Sequence, residues 1–504
     1  MSDQDVVPPS ISVEDWAATP SAVRTLVVSL LATVEAQQKR ITELEQYIAK
    51  LQARLAELEE RVNQNSGNSS QPPSSDGPGV VKGQGAEKKR SGRKRGGQAG
   101  HPRMQRKLVP VEELKAEYDL KPATCRCCGE NLSGEDLHPS QHQVAEIPPV
   151  KVDVTEYRLH AITCSSCGTT TRAKLPEGVP QGGFGPRFQA MVSILSGRYH
   201  LSKRETVGIM DDFFNVDLSL GSISKLEKRT SVAIAQVVED ARIYARSQTA
   251  VHKDETGWRE GCRKAWLWVL ATKYVTVFLI DLHRSAEVAK RMLGTDFKGI
   301  LNSDRWSAYN WLDNRYRQLC WSHLQRDFQA FVERGGESQK LGEALLTFAH
   351  QMFTWWHLVQ KNSLSRTQFQ EQMQWVRTPV GELLRQGTTC THAATAGTCR
   401  DILKRETALW TFVDSDGVEP TNNFAEQKIR SGVLWRNSSF GTQSEVGSRF
   451  VERIMTVVST LKQQDRNMLD YLTEACEAGN RGRPAPTLLP TLPIFTGHVT
   501  LPTP

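Results

Sequence analysis

The amino-acid sequence predicts a multidomain protein of the α + α/β class, and three observations lead to this prediction. Apolar residues repeat at heptad spacing near the N-terminus, two Cys-x-x-Cys pairs follow, and alternating apolar spacing replaces helical spacing after Ala250. At 504 residues the chain is too long for one ordinary core, so three or more folding units are expected.

The composition is typical of a soluble globular protein with polar linkers, with 38% apolar and 24% charged residues. No run of about 18 apolar residues is present, so no membrane span is expected. The acidic start MSDQDVVPPS does not have the pattern of a signal peptide. Ten cysteines in a chain of this size do not indicate a disulfide scaffold, and we expect a cytoplasmic location.

The first predicted unit is a coiled coil over residues 25–64, after a flexible N-terminus at 1–24. Apolar residues alternate three and four positions apart, with Gln37 as a polar break, at Val27, Leu30, Val34, Ile41, Leu44, Ile48, Leu51, Leu55, Leu58 and Val62. The alternative is a single amphipathic helix lying on its own domain. The narrow apolar seam and charged flanks favour the coiled coil, and therefore a homodimer or higher oligomer.

Residues 65–108 form a low-complexity, basic linker. Its first part, NQNSGNSSQPPSSDGPG, cannot continue a helix or bury a core. Between Lys82 and Lys107 there are ten basic residues and one acidic residue, Glu87, on a chain whose net charge is only +7. This pattern predicts a flexible arm that contacts DNA phosphates, and the alternative is a solvated linker. The candidate DNA-binding residues are Lys88, Lys89, Arg90, Arg93, Lys94 and Arg95.

The next segment, 109–183, is predicted to be a zinc-ribbon-like, zinc-binding module. Two Cys-x-x-Cys pairs, Cys125 with Cys128 and Cys164 with Cys167, are each followed by a glycine that permits a tight turn. The spacing is typical of a tetrahedral zinc site with four thiolate ligands. Because four sulfurs leave no open position for water, we expect the zinc to be structural.

Residues 184–247 show helical spacing. The sequence SKRE, from Ser202 to Glu205, is a capping box that predicts a helix through Phe213, and a second helix is expected from about Ser222. Two helices joined in this way form either a DNA-reading helix-turn-helix or an ordinary helical hairpin.

A ribonuclease-H-like α/β domain with a helical insertion is predicted over residues 248–478. Strands are expected in TAVHKDETGW, ending at Asp254, in KAWLWVLAT and in YVTVFLI; a helix follows in SAEVAKRML. Further strands are expected in GILNSDRWSAY, ending at Asp304, and in RQLCWSHL. In this strand order, a carboxylate on the first strand lies beside one at the end of the fourth. The insertion is expected at about 324–413, and the proline-rich tail 479–504 is expected to be extended or disordered.

A helix carrying Glu426 is predicted in EPTNNFAEQKIR, with Pro420 and Thr421 as helix-start signals. Taken alone, Glu426 would most simply form an i,i+4 pair with Arg430 on an exposed face. The two upstream aspartates, together with the family resemblance described next, favour a different interpretation, in which Glu426 joins them at a metal site.

The chain resembles transposases of the IS66 insertion-sequence family along nearly its whole length. The residues that carry the resemblance are NSGNSSQPPSSD, RGGQAGHPR, the doubled cysteine pairs, DETGW, NSDRWSAY, CWSHLQRDF, NNFAEQKIR and SFGTQSEVGSRFVERIMTVVSTLKQQDRNMLDYL. The resemblance implies a DDE-type recombinase whose three acidic positions are Asp254, Asp304 and Glu426. It also selects Asp254 over its neighbour Glu255.

This resemblance implies a metal-dependent phosphoryl transfer that uses two Mg²⁺ or Mn²⁺ ions. Carboxylates are the oxygen ligands that such ions prefer, and two ions activate the nucleophile and stabilise the departing oxyanion. Asp254 would bridge the ions, Asp304 would hold one and Glu426 the other. Partners implied are transposon-end DNA, target DNA and small accessory proteins of the same element, in a bacterial protein that is nucleoid-associated when bound to DNA.

Further residues around the site are candidates for support or DNA contact. Lys428, Arg430 and Arg436 are placed to hold phosphates. His252, His323, Arg326, Asn422 and Asn423 are candidates for positioning the site, although His323 and His252 are equally consistent with packed structural histidines. The chain reads Arg436-Asn437 where the family often has Arg-Lys, which puts one phosphate contact in doubt.

Two other functions fit the same sequence. A catalytically silent DNA-binding regulator derived from a transposase would keep the DNA-binding parts without activity. A ribonuclease-H-like nuclease would cleave DNA without strand transfer.

Overall fold

The computed structural model describes residues 7–8, 10–64, 69–71 and 107–490. The six linker residues predicted to contact DNA, 88–90 and 93–95, lie outside these ranges. None of the helices in the described ranges combines the length and apolar character needed to cross a bilayer.

Two helices form the N-terminal part of the described chain. Helix α1 spans Val13–Ala18, and α2 spans Ser21–Asn63, a length of 43 residues. The expectation of a flexible segment over 1–24 is therefore wrong from residue 13 onward. The apolar seam of α2 is exposed to solvent, with Ile48 at 52% and Leu55 at 58% of full exposure. A long helix with an uncovered apolar stripe is what the heptad spacing predicts for one strand of a coiled coil.

The cysteine-rich region contains one short hairpin, in which β1 (Ala161–Thr163) pairs antiparallel with β2 (Thr170–Arg172). Four helices follow it. They are α3 (Pro186–Gly197), α4 (Lys203–Phe214), α5 (Leu220–Ala233) and α6 (Ala235–Arg246). The predicted capping box is present, because Ser202 and Glu205 each accept a hydrogen bond from the other's backbone N–H. Helix α5 begins at Leu220, two residues before the expected start.

A five-stranded mixed sheet carries the candidate site. Its strands are β3 (Ala250–Glu260), β4 (Arg263–Ala271), β5 (Thr276–Asp281), β6 (Ile300–Ser303) and β7 (Arg317–Leu319). The spatial order is β5-β4-β3-β6-β7; β4 pairs antiparallel with both β5 and β3, β6 pairs parallel with β3, and β7 pairs parallel with β6. Helix α7 (Ala286–Leu293) connects β5 to β6.

The predicted end of the first strand is wrong. Strand β3 does not stop at Asp254 but continues to Glu260, because its second half pairs with β4 through the last pair, Glu260 with Arg263. Asp254 therefore lies in the middle of a long strand, beyond the point at which the shorter β6 has ended.

The outer edge of the sheet is covered by helix α14 (Glu445–Gln463). Thr456 accepts a hydrogen bond from the Phe278 amide at 2.9 Å, and Glu452 accepts one from the Ile280 amide at 2.9 Å. Unpaired strand edges are open to association with other chains, so these side chains close the free edge of β5.

The segment predicted as a helical insertion is built from helices, but it begins at Trp321 rather than Leu324. Its helices are α8 (Trp321–Glu333), α9 (Gly336–Gln360), α10 (Arg366–Gly387), α11 (Ala393–Leu403) and α12 (Thr411–Asp414). Their apolar faces form a second core around Phe331, Phe369 and Phe412.

After the insertion the chain returns to the sheet as α13 (Asn423–Ser439), followed by α14 and by α15 (Met468–Asn480). Gly432 lets α13 pack closely on β4, because a Cβ at this position would lie 2.2 Å from Leu267 Cδ2. This close packing fixes the height of α13 above the sheet.

The C-terminal tail is only partly as predicted. Leu488 is buried, and the Tyr471 hydroxyl donates a hydrogen bond to the Pro486 carbonyl at 2.8 Å. Residues 481–490 contain no helix or strand, as an extended segment would, and they pack against the rest of the chain through these contacts. Residues 491–504 lie outside the described chain.

Candidate active site

The parallel pairing of β3 with β6 sets Asp254 beside Asp304. The register pairs His252 with Asn302, an offset of 50 residues, and the same offset separates Asp254 from Asp304. Neighbouring strands lie about 4.8 Å apart, so two residues beyond the pair of His252 with Asn302 the two aspartates reach the same level of the sheet.

Asp304 is held in a turn directly after β6. One of its carboxylate oxygens, Oδ1, accepts a hydrogen bond from the Trp306 amide at 3.0 Å. The Arg317 guanidinium donates to the Asp304 carbonyl at 3.1 Å. These two bonds fix the backbone and one carboxylate oxygen while the other oxygen remains available to a ligand.

Three contacts attach the start of α13, which carries Glu426, to the sheet. The side-chain amide of Asn302 donates to the carbonyls of Glu419 and Thr421, at 2.7 and 3.0 Å. The side-chain amide of Asn422 donates to the Lys253 carbonyl at 2.8 Å. Glu426 is thereby brought toward the end of β6, where Asp254 and Asp304 lie, although the ligand atoms of these three acids do not all lie within 4.8 Å of one another.

The Asn422 backbone makes a further contact with the end of the parallel strands. Its amide donates to the Cys320 sulfur at 3.1 Å, and the Cys320 amide donates to the Ser303 carbonyl at 3.0 Å. Burial raises the pKa of the Cys320 thiol to about 11, so it remains protonated at neutral pH.

The electrostatics of Asp254 reflect this convergence. Burial raises the pKa of its carboxyl well above the usual value, and the negative charges of Glu255, Glu426 and Asp304 raise it further. The Glu255 amide partly opposes this by donating to Asp254 Oδ1 at 2.9 Å. A buried carboxylate whose pKa is raised by neighbouring negative charges is stabilised in its ionised form by a bound cation.

Glu426 does not form the ion pair with Arg430 that a surface helix would favour. Its Oε1 atom instead faces His323 Nδ1 at 3.7 Å. Both atoms are buried, and neither makes a hydrogen bond with any described residue. The pKa of His323 is lowered to about 4 by burial and by Arg326, so its imidazole is neutral at physiological pH. An uncompensated carboxylate oxygen and a neutral imidazole nitrogen fit the requirements of a divalent cation.

Glu255 has a role that the sequence did not reveal. Arg284 donates two hydrogen bonds to its Oε1 atom, at 2.7 and 3.0 Å, and the Tyr309 hydroxyl donates to its Oε2 atom at 2.8 Å. Burial and the charge of Asp304 raise the pKa of Glu255. It therefore lies close enough to Asp304 to affect the site, although neighbouring residues of a strand face opposite ways and only one of Asp254 and Glu255 is expected to join Asp304. Its carboxylate is occupied by protein donors.

The basic residues predicted to hold phosphates differ in their availability. Arg436 donates to the Thr256 hydroxyl at 3.2 Å and to the Gly257 carbonyl, so it attaches the end of α13 to β3. Lys428 lies over the Phe424 ring at 4.9 Å. Arg430 is exposed and, like Arg326, makes no hydrogen bond or ion pair with a described residue.

The remaining predicted support residues also lie near the site. The His252 ring contacts Phe424 at a centroid distance of 5.4 Å, and burial lowers the pKa of His252 to about 4, with Asn422 opposing this effect. Asn423 is exposed and accepts a hydrogen bond from the Ser322 hydroxyl at 3.3 Å.

The four predicted zinc ligands form two turns of the same design. In the first, the Cys125 carbonyl accepts a bond from the Gly129 amide at 2.9 Å, and Gly129 has a φ of +79°. The second repeats this with Cys164 and Gly168, whose φ is +73°. Within each turn the two cysteine side chains interact, Cys125 with Cys128 and Cys164 with Cys167.

Within the first turn, the backbone amides of Cys128 and Cys127 lower the pKa of Cys125. In the second turn, the side chain and backbone of Thr169 and the Cys164 side chain lower that of Cys167. Each turn therefore favours the thiolate form of one cysteine, Cys125 in the first and Cys167 in the second, and carries two of the four predicted zinc ligands. No three of the four sulfur atoms lie within 4.8 Å of one another, so the structure does not bring the two halves together.

Comparisons with known families match three consecutive parts of the chain. The family described as "Transposase IS66 family" matches residues 181–449, just over half of the chain. A "zinc-finger binding domain of transposase IS66" matches residues 122–168, which include all four cysteines, and a "Family of unknown function (DUF6444)" matches residues 18–107. An "Uncharacterized protein y4qI" of Sinorhizobium fredii (strain NBRC 101917 / NGR234) is 25% identical over 448 residues, covering 81% of this chain and 78% of the relative.

Proposed function

The chain belongs to the IS66 family of transposases, and from this membership we propose that it is a DDE transposase of an insertion sequence. It would bind the terminal inverted repeats, cleave the DNA to expose 3′-hydroxyl ends and join these ends to target DNA. The observation that carries the proposal is the parallel register of β3 and β6, which supports a position of Asp304 level with Asp254, together with the negative charges of Glu426 and Asp304 that raise the pKa of Asp254.

We propose a ribonuclease-H-like fold for the catalytic domain. The strand order β5-β4-β3-β6-β7, with three antiparallel strands followed by two parallel ones, supports this assignment. In such a sheet, the carboxylates that belong to β3 and follow β6 would lie at the same end of this parallel strand pair, and α13 would add Glu426. The proposed domain spans 248–478, with the helical insertion from about 321.

Asp254, Asp304 and Glu426 would hold two Mg²⁺ or Mn²⁺ ions. Bound there, the ions would make a water or a 3′-hydroxyl nucleophilic and stabilise the departing oxyanion. The Trp306 amide holds one oxygen of Asp304, and Asn302 and Asn422 hold the helix of Glu426 in place. This preorganisation leaves the reacting groups little freedom to lose when DNA binds.

Two cations beside the carboxylates are available for the DNA backbone. Arg430 and Arg326 make no ion pair within the described chain, so their guanidinium groups can donate to phosphate oxygens without first breaking a bond. Arg436 has a structural role as well, because its contact with β3 holds α13 on the sheet.

The remaining units would supply DNA binding and pairing of protomers. We propose that the exposed seam of α2 forms a coiled coil that brings two protomers together, so that each acts on one DNA end. The zinc-finger domain, with the four cysteines as ligands of one structural zinc ion, and the basic linker would bind the transposon ends. Helices α4 and α5 are candidates for a helix-turn-helix that takes part in this binding.

The test is an assay on labelled terminal-repeat DNA with Mg²⁺ or Mn²⁺. Joining of 3′ ends to target DNA supports the proposal. Cleavage without joining would indicate a nuclease, and binding without either reaction would indicate a silent regulator derived from a transposase. Asp254→Asn and Asp304→Asn should each abolish both reactions while DNA binding is retained.

A further inference from the structure

We propose that His323 Nδ1 and Glu426 Oε1 bind one divalent ion together, so that one of the two ion sites has mixed nitrogen and oxygen ligands. Such a site favours a first-row transition ion, such as Mn²⁺, over Mg²⁺. This inference rests on the proposed function, because it concerns the ion assigned to Glu426.

The two side chains come from the first turns of different helices and point at each other. His323 lies in the first turn of α8, directly after β7, and Glu426 lies in the first turn of α13. The starts of the two helices lie side by side, because the Trp321 amide donates a hydrogen bond to the Pro420 carbonyl at 2.9 Å. This contact between the two helix starts helps to hold His323 opposite Glu426.

The separation of 3.7 Å between Nδ1 and Oε1 fits two ligands of one ion. Ligands about 2.1 Å from a common ion lie about 3.0 Å apart at right angles and about 4.2 Å apart when opposite. A direct hydrogen bond, in contrast, requires a separation near 2.9 Å. The observed distance lies within the first range and outside the second.

Neither atom has another use in the described part of the chain. Both are buried without a hydrogen-bond partner, and buried polar atoms in folded proteins are usually paired. His252 Nδ1 is also buried without a hydrogen-bond partner, so the feature that distinguishes His323 is the Glu426 carboxylate oxygen that faces its Nδ1 at 3.7 Å.

Cys320, His323 and Glu426 form the one group of three ligand-type side chains in the described ranges whose ligand atoms all lie within 4.8 Å of one another. We assign Cys320 a supporting role, because its sulfur already accepts the hydrogen bond of the Asn422 amide. His323 and Glu426 are thus the two members of this group that are free to bind an ion.

A nitrogen ligand changes which ion the site prefers. Mg²⁺ binds almost entirely through oxygen, whereas imidazole binds first-row transition ions more strongly. We therefore expect the ratio of Mn²⁺ to Mg²⁺ affinity to depend on His323 and not on His252, the other imidazole near the site.

The experiment is pulsed electron paramagnetic resonance of the untagged full-length protein loaded with Mn²⁺, because ¹⁴N modulation reports a nitrogen bound directly to the ion. The wild-type protein should show this modulation. It should be lost in both His323→Gln and His323→Asn and kept in the matched control His252→Gln. In calorimetric titrations, His323→Gln should lower the Mn²⁺ affinity at least about tenfold and the Mg²⁺ affinity much less.

Modulation that is absent from the wild-type protein, or that persists in both His323 variants, overturns the inference. In either case, Mn²⁺ binding that is still lost in Asp254→Asn leaves the carboxylate site intact, so failure of the inference is distinguishable from failure of the proposed function. Circular dichroism of the two His323 variants separates loss of a ligand from loss of the fold.

Discussion

The side chain of Asn422 joins the helix of Glu426 to the strand of Asp254, because its amide donates to the Lys253 carbonyl at 2.8 Å. Asn422 is almost completely buried, at 1% exposure, and it stands at the N-cap of α13. One hydrogen bond thus connects two elements that are 169 residues apart in the chain and fixes the distance between two of the three acidic residues.

Asn422→Ala should reduce strand joining about 10- to 100-fold, because the helix of Glu426 loses its link to β3. The expected loss of unfolding free energy is smaller, about 1–3 kcal/mol for one unsatisfied buried carbonyl. Asn423→Ala is the matched control, since Asn423 is exposed and bonds only to Ser322. Equal effects of the two substitutions on joining would contradict this role for Asn422.

Arg326→Gln and Arg430→Gln should each weaken binding to terminal-repeat DNA and reduce its dependence on salt. Each variant removes one phosphate contact, so the slope of log affinity against log salt should become less steep by about one unit. Fluorescence anisotropy between about 50 and 200 mM salt measures this slope.

The control for these variants is Arg315→Gln, because Arg315 already pairs with Asp313 on the surface at 3.0 Å. Its slope should match that of the wild-type protein. An unchanged slope in both Arg326→Gln and Arg430→Gln would show that neither residue contacts a phosphate.

Glu452 should make stability depend on pH. Burial raises the pKa of its carboxyl from 4.5 to about 7, against the opposing charge of Arg449. Because the folded state binds this proton more tightly, the associated stabilisation is fully present below about pH 4.5 and lost as pH rises through about 7. The shift corresponds to about 3 kcal/mol of unfolding free energy.

Glu452→Gln removes this proton equilibrium while its amide oxygen can still accept from the Ile280 amide. Relative to this variant, the wild-type protein should have a lower urea midpoint at pH 8 than at pH 5, measured by tryptophan fluorescence. The exposed Glu445→Gln should show no such pH-dependent difference. Parallel pH profiles of wild type and Glu452→Gln would exclude the effect.

The seam of α2 should hold the oligomer together. Leu51 and Leu55 are 50% and 58% exposed in the single chain, so a partner helix has apolar surface to cover. The double variant Leu51→Asp, Leu55→Asp should dissociate to monomers in light-scattering measurements. The control, Ala49→Asp with Ala53→Asp, adds the same charges off the seam and should leave the mass unchanged. A monomeric wild-type protein would refute the coiled coil.

Much of the sheet was predictable because two of its signals can be read directly from the sequence. These are the alternation of apolar residues within each strand and the number of residues between successive strands. The 50 residues between Asp254 and Asp304 are those that the β3–β6 register requires, and the capping box at Ser202 marked the start of α4. The family resemblance identified Glu426, which spacing alone could not assign. These signals depend on neighbouring residues or on the family pattern, so they are visible without a structure.

Contacts between distant elements were not predictable in this way. The bonds of Arg284 and Tyr309 to Glu255 depend on how α7 and the turn after β6 pack, and no local pattern marks them. Asn302 was missed because its partners are backbone carbonyls near residue 420. The end of β3 was misplaced because pairing with β4 continues a strand beyond the point at which local spacing suggests a stop.

The most direct test of the account is strand joining by Glu426→Gln. The substitution keeps the shape of the side chain but removes the charge that a metal ion requires. Labelled, pre-cleaved terminal-repeat ends and a target plasmid are incubated with Mg²⁺ or Mn²⁺, and joined products are counted. Because metal-ion stabilisation contributes several kcal/mol, joining should fall at least about 100-fold while DNA binding is unchanged. The exposed control Gln427→Asn should join normally. Full joining by Glu426→Gln would contradict the assignment of the three acidic residues as one metal site.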